Sequence, residues 1–113
     1  MHRIITHALC VCLFVGVSVA IKTWACEDTQ AIFEGESPDL VPRNVLKRAH
    51  SKLLILHAAA DVRDLRVPPG NRLERLRGDR EGQYSIRIND QYRVCFVWRD
   101  GDAFEVEIVD YHD

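Results

Sequence analysis

Residues 70–113 read GNRLERLRGDREGQYSIRINDQYRVCFVWRDGDAFEVEIVDYHD, and no other stretch of the chain constrains its fold as strongly. Residues 83–88 and 91–98 alternate polar and apolar side chains with the period of two of a half-buried strand. Asn89-Asp90 forms a tight turn between them. Asp100-Gly101 is a hairpin signal that leads into another strand over residues 103–109. A short strand over residues 72–76 comes before these, separated by a turn at residues 78–82. Strands joined by such short turns pair antiparallel.

The front of the chain supplies helices. Ile21-Lys22-Thr23-Trp24 alternates as a first strand. Asp28 or Thr29 is placed to cap a short helix through Phe33, closed by Gly35. Pro42 suits the first position of a longer helix, where its missing N–H costs nothing. Val45, Leu46, Ala49, Leu53, Leu56 and Ala60 recur at helical steps, with Arg43, Lys47, Arg48 and Lys52 on the opposite face. Pro68-Pro69-Gly70 marks the turn out of the connector over residues 61–71. The expected fold class is α+β: two N-terminal helices packed on one face of a small, mainly antiparallel sheet. With 113 residues, the chain has room for one such domain.

The net charge of −2 conceals a strong asymmetry. Residues 63–99 hold nine Arg against five acids, while residues 100–113 hold six acids and no Lys or Arg. An Arg-rich sheet face can hold a polyanion locally even when the whole chain is acidic. The four Cys, at positions 10, 12, 26 and 95, form no C-x-x-C pair and no zinc spacing, so no metal site and no cofactor is expected.

Residues 8–21 are almost wholly apolar and follow Arg3, His2 and His7. By form this is a secretory signal, too short for a confident membrane span. A start codon placed too far upstream explains it as well, with Val17 or Val19 as initiator. The expected division is an N-terminal extension over residues 1–20 and a folded domain over residues 21–113.

The segments GDREGQYSIRINDQYRVCF and DGDAFEVEIVDYH, with IKTW near the front, closely resemble the HigB-type toxins of the RelE/ParE superfamily. The resemblance runs from Ile21 to His112. It implies a RelE-like fold and a cytoplasmic, ribosome-dependent endoribonuclease that cleaves mRNA by metal-free attack of the 2′-hydroxyl. It also implies a HigA-like helix-turn-helix antitoxin, with the ribosome and mRNA as further partners and no membrane. It leaves the oligomeric state open. Alternatives that keep the fold are a ParE-like gyrase inhibitor and a non-catalytic relative that only binds antitoxin.

Carried over residue by residue, the resemblance makes His112 catalytic, and His is the side chain suited to proton transfer near neutral pH. Tyr111 matches the family Tyr, placed to stack on a base or pass a proton. Asp110 matches the family Asp; orienting His112 or an Arg and simply ending a strand are both open roles. Arg93 matches a strand Arg able to grip a phosphate in bidentate fashion. Arg77 stands where the family usually has Lys, and Tyr92 where Trp is commoner. Glu74 departs from the His of the best-known members, and is either a general base or the partner of a nearby Arg. Arg80 and Arg87 are candidate RNA contacts on the strand faces. His50 and His57, on the long helix, are read as structural or solvent-facing.

Overall fold

The computed structural model describes residues 20–111; residues 1–19 and 112–113 lie outside the described residues. The N-terminal extension, apart from Ala20, and His112 therefore fall outside it. Two helices, α1 (Glu27–Phe33) and α2 (Arg43–Ala58), precede four strands. These are β1 (Glu74–Arg75), β2 (Gln83–Arg87), β3 (Tyr92–Arg99) and β4 (Asp102–Asp110). They form one sheet in the order β1-β2-β3-β4, antiparallel throughout. The expected α+β meander is what the chain builds.

The core lies between the helices and one sheet face. Ile32 of α1 and Val45, Ala49, Leu53 and Leu56 of α2 pack with Ile86, Val94, Phe96, Val106 and Ile108 of the sheet. Because side chains alternate along a strand, the opposite face receives Ser85, Arg87, Arg93, Cys95 and Glu107, which stand opposite one another in the strand register. That polar face carries the candidate site.

Three details differ from the sequence expectation. Residues 21–24 do not form a full strand. They make two isolated parallel bridges to β4, Ile21 to Ala103 and Trp24 to Val106. The bridges are three residues apart on both segments, and between them the β3–β4 register shifts. Glu105, at φ +54°, takes up the extra residue as a bulge, which keeps Ala103 and Val106 both turned into the core. Second, neither Asp28 nor Thr29 caps α1, whose N-cap is Cys26. Thr29 is fully buried, and its hydroxyl accepts the backbone N–H of Ile108 at 2.9 Å. A buried strand donor must find an acceptor, and Thr29 supplies one beyond the reach of the bridging segment. Third, Pro42 is the N-cap of α2 rather than its first residue.

Ala20, at the expected domain boundary, is already packed. It is buried, donates its N–H to His57 O at 2.9 Å and accepts from Ala103 N at 2.6 Å. Among the described residues no helix is long and apolar enough to cross a membrane. Cys26 and Cys95 are free, and burial pushes the Cys95 thiol up from its usual pKa.

Candidate active site

Arg93 is the centre of the polar face. It sits in the middle of the sheet on β3, opposite Arg87 of β2 and Val109 of β4. Only 9% of its surface remains exposed, so its guanidinium needs partners. Nε donates to Ser85 Oγ at 2.7 Å, and Nη2 donates to the carbonyl of Arg72 at 2.6 Å. Glu74 Oε1 lies 3.8 Å from the same Nη2. No hydrogen bond joins Nη1 to another described residue. A fixed guanidinium with donors to spare is suited to an anion that arrives from solvent.

Arg72 reaches this position through an unusual backbone. It closes the short 3-10 turn Pro69–Asn71 with φ +46° and ψ +58°, in the left-handed region. That turn aims its carbonyl at Arg93 and brings Arg72 into the lining of the cleft. The turn itself is pinned by Asn71, fully buried, whose Nδ2 donates to the carbonyls of Leu65 and Val67.

The cleft has a volume of about 280 Å³ and is lined by Arg72, Glu74, Arg87, Asn89, Asp90, Arg93 and Tyr111. Tyr111 closes one side, with its ring centre 5.7 Å from the guanidinium carbon of Arg93. The end of β4 is held in place from the β2–β3 turn. Gln91 accepts the backbone N–H of Tyr111, and its side chain donates to Asp110 Oδ2 at 3.1 Å. The turn is an Asx turn, in which Asn89 Oδ1 accepts the N–H groups of Gln91 and Tyr92 at 2.9 and 2.8 Å.

Of the residues singled out in the sequence, the fold brings Arg93, Glu74, Arg87 and Tyr111 into this cleft. Glu74 is 54% exposed beside Arg93, the position of an ion-pair partner rather than of a carboxylate enclosed by apolar groups. Arg87 pairs with Asp90, itself almost fully exposed. Arg80 stands apart, with Nη1 donating to Glu107 and Gln83, both at 3.0 Å, so its charge is already balanced within the sheet. Arg77 is exposed and outside the cleft lining. His112 follows Tyr111 in the chain but lies outside the described residues. No group of three or more His, Cys, Asp or Glu is arranged to hold a metal among the described residues.

Sequence reasoning missed Arg72, Ser85 and Asn89. Ser85 leaves a faint trace, as a small residue at a polar step of the alternating strand, on the same face as Arg87. Arg72 leaves none, because its placement depends on a left-handed backbone at a non-glycine residue.

The fold thus sets an Arg-centred polar cleft on the sheet face that the two helices leave open. The solved heterotetrameric YoeB–YefM toxin–antitoxin complex of Staphylococcus aureus has a chain of the same fold, with a TM-score of 0.52 at 21% identity over 84% of this chain and 98% of that one. A sequence model described as the RelE-like toxin of type II toxin–antitoxin system HigB matches residues 27–112. Toxin HigB-1 of Vibrio cholerae is 50% identical over 64 residues, 57% of this chain and 67% of the relative. Endoribonuclease HigB of Proteus vulgaris is 29% identical over 92 residues, 81% of this chain and 99% of the relative. The chain belongs to the HigB family of type II toxins, a class defined by pairing with an antitoxin.

Proposed function

We propose that this protein is an endoribonuclease toxin that cleaves mRNA on the ribosome, in the cytoplasm, and is held inactive by a HigA-like helix-turn-helix antitoxin. The endoribonuclease class follows from the family, whose Proteus vulgaris member bears that activity in its name. The observation that supports the reading most directly is Arg93. It is nearly buried, braced by Ser85 and the Arg72 carbonyl, and faces a polar cleft open to solvent.

The chemistry assigned to the cleft is transesterification. The 2′-hydroxyl gives its proton to solvent water in the open cleft and attacks the adjacent phosphorus, the bond to the 5′-oxygen breaks, and a 2′,3′-cyclic phosphate and a free 5′-hydroxyl result. Negative charge gathers on the non-bridging oxygens as the new bond forms. Arg93, with Arg72 beside it, is the cation set for that charge. His112 gives the departing 5′-oxygen its proton. Tyr111 offers a ring on which a nucleobase stacks. Glu74 is assigned to holding Arg93; Arg77, outside the cleft lining, is assigned no part in the phosphate site.

The test is induction of the full chain in a host without the antitoxin, with growth, mRNA ends and DNA integrity followed together. The expected result is arrest with new mRNA 5′ ends inside translated regions, relieved by His112→Ala. Loss of one acid or base slows such a reaction by roughly 10²–10⁴-fold, enough to restore growth. Arrest with intact mRNA and broken DNA points instead to a gyrase-directed toxin. Full toxicity of a folded His112→Ala variant removes His112 from the mechanism.

A further inference from the structure

A larger groove opens beside the cleft. Its volume is about 610 Å³, and it runs between α2 and the β2–β3 turn. Lys47, Arg48 and Lys52 of α2 line it with Arg87, and no acidic residue does. The lining positions of α2 fall on one stripe, turned away from the buried stripe of Val45, Ala49, Leu53 and Leu56. Arg87 and Asn89 line both the groove and the active-site cleft, so the two are continuous.

A basic helix face is usually just a solvated surface, but Lys52 is not a freely moving surface lysine. It is half-buried, and Nζ donates to the side-chain oxygen of Asn71. Asn71 is itself fully buried and anchored to the carbonyls of Leu65 and Val67. Burial, and then the neighbouring Arg48, pull the Lys52 pKa below its ordinary value. A cation fixed next to other cations, with no carboxylate in the lining, lacks a counter-charge that an anion would supply. Holding it in place beforehand reduces the ordering cost when that anion binds.

We infer that this groove carries the phosphodiester backbone of the substrate RNA beyond the scissile phosphate, with Lys47, Arg48 and Lys52 as phosphate contacts. The inference rests on the ribonuclease reading of the cleft. Continuity through Arg87 selects the occupant. A strand whose scissile phosphate sits at Arg93 passes Arg87 as it leaves the cleft and enters the groove. Salt dependence on this face follows from the contacts, at about 0.7 in the log–log slope for each single-strand phosphate engaged.

The experiment measures cleavage on programmed ribosomes by the full chain and by the Lys47→Gln/Arg48→Gln double variant. Both side chains are exposed, so the variant keeps the fold. Messages are used with ordinary phosphates and with neutral methylphosphonates on the nucleotides flanking the cleavage point. For ordinary message the variant is expected to lose about tenfold in kcat/KM, mostly through KM, with a shallower salt slope. Methylphosphonates are expected to slow the unaltered protein by a similar factor and to cost the variant little. If they slow both proteins equally, Lys47 and Arg48 contact ribosomal RNA and not the message, and the inference falls. Unchanged kcat/KM in the variant also overturns it. Loss of binding to poly-glutamate with cleavage intact assigns the groove to an acidic protein segment instead. Failure of the unaltered protein to cleave any message is a failure of the ribonuclease reading itself, a separate outcome.

Discussion

The guanidinium carbon of Arg93 lies 5.7 Å from the centre of the Tyr111 ring, which joins the middle of the sheet to the last described residue of the chain. A cation over an aromatic face is held by the ring quadrupole, worth about 0.5–1 kcal/mol at exposed sites and more when desolvated. The contact keeps Tyr111 against the cleft that Arg93 lines.

Arg93→Ala is expected to lose cleavage by about 10²–10³-fold, the range seen when one charge-stabilising donor is removed. It is also expected to cost stability. Ser85 Oγ and the Arg72 carbonyl lose their partner, about 1–3 kcal/mol for a buried group left unpaired. Urea unfolding beside a cleavage assay well below the variant's melting temperature separates the two losses. A folded variant with near-normal cleavage removes Arg93 from the site.

Ser85 acts through Arg93 and is a positioning residue. Ser85→Ala removes the 2.7 Å bond to Nε and lets the guanidinium rotate. Cleavage is expected to fall about tenfold in kcat with little change in KM, equivalent to roughly 1.4 kcal/mol. Ser85→Thr, which keeps the hydroxyl, is expected to restore most of it. If Thr fails as badly as Ala while both proteins melt normally, the hydroxyl is not what matters.

Glu74→Gln addresses the departure from the family's His. An exposed carboxylate 3.8 Å from Arg93 is expected to matter as a partner, not as the base, so cleavage is expected to fall less than tenfold. A loss of 10² or more, recovered by Glu74→His, makes it the base.

The meander was legible because period-two alternation and the Asp100-Gly101 hairpin signal are local properties. Arg93 was legible through the resemblance, because QYRVCF matches the strand that carries the family's Arg. What escaped depended on contacts distant in sequence. Thr29 looks like a helix cap until a β4 N–H is found to need it, 79 residues away. Lys52 looks like any basic helix residue until Asn71 is found beneath it. The bulge at Glu105 escaped because nothing in the residue itself favours a left-handed backbone. The groove escaped because it exists only where α2 meets the β2–β3 turn.

Glu105→Gly tests that bulge. A non-glycine residue in the left-handed region costs roughly 1–2 kcal/mol, and glycine gives back part of this as unfolded-state entropy. The exposed Glu105 makes no described side-chain contact whose loss offsets the gain, and its backbone N–H to Thr23 Oγ1 is kept. A rise of about 0.5–1 kcal/mol is expected, a few degrees in Tm for a domain of this size. A fall in Tm means that the side chain, not the backbone, governs this position.

His57 gives the fold a pH dependence of defined sign. Its ring packs edge-on against Phe33 at 5.0 Å, and its Nδ1 is buried with no hydrogen-bond partner. Burial, and then the nearby Lys22, push its pKa below the usual 6.5. Between the unfolded and folded pKa values the unfolded chain binds the proton more readily, so stability rises with pH across that window. The contribution is complete above about pH 6.5 and is lost as pH falls through the lower, folded value. Carboxylates titrate at lower pH and also weaken the fold, so the informative quantity is a difference. Urea unfolding at pH 7.5 and at pH 5.5 is expected to show a larger drop for the unaltered protein than for His57→Gln, which keeps a polar side chain without the titration. Equal drops in the two proteins mean that another group sets the acid sensitivity of the fold.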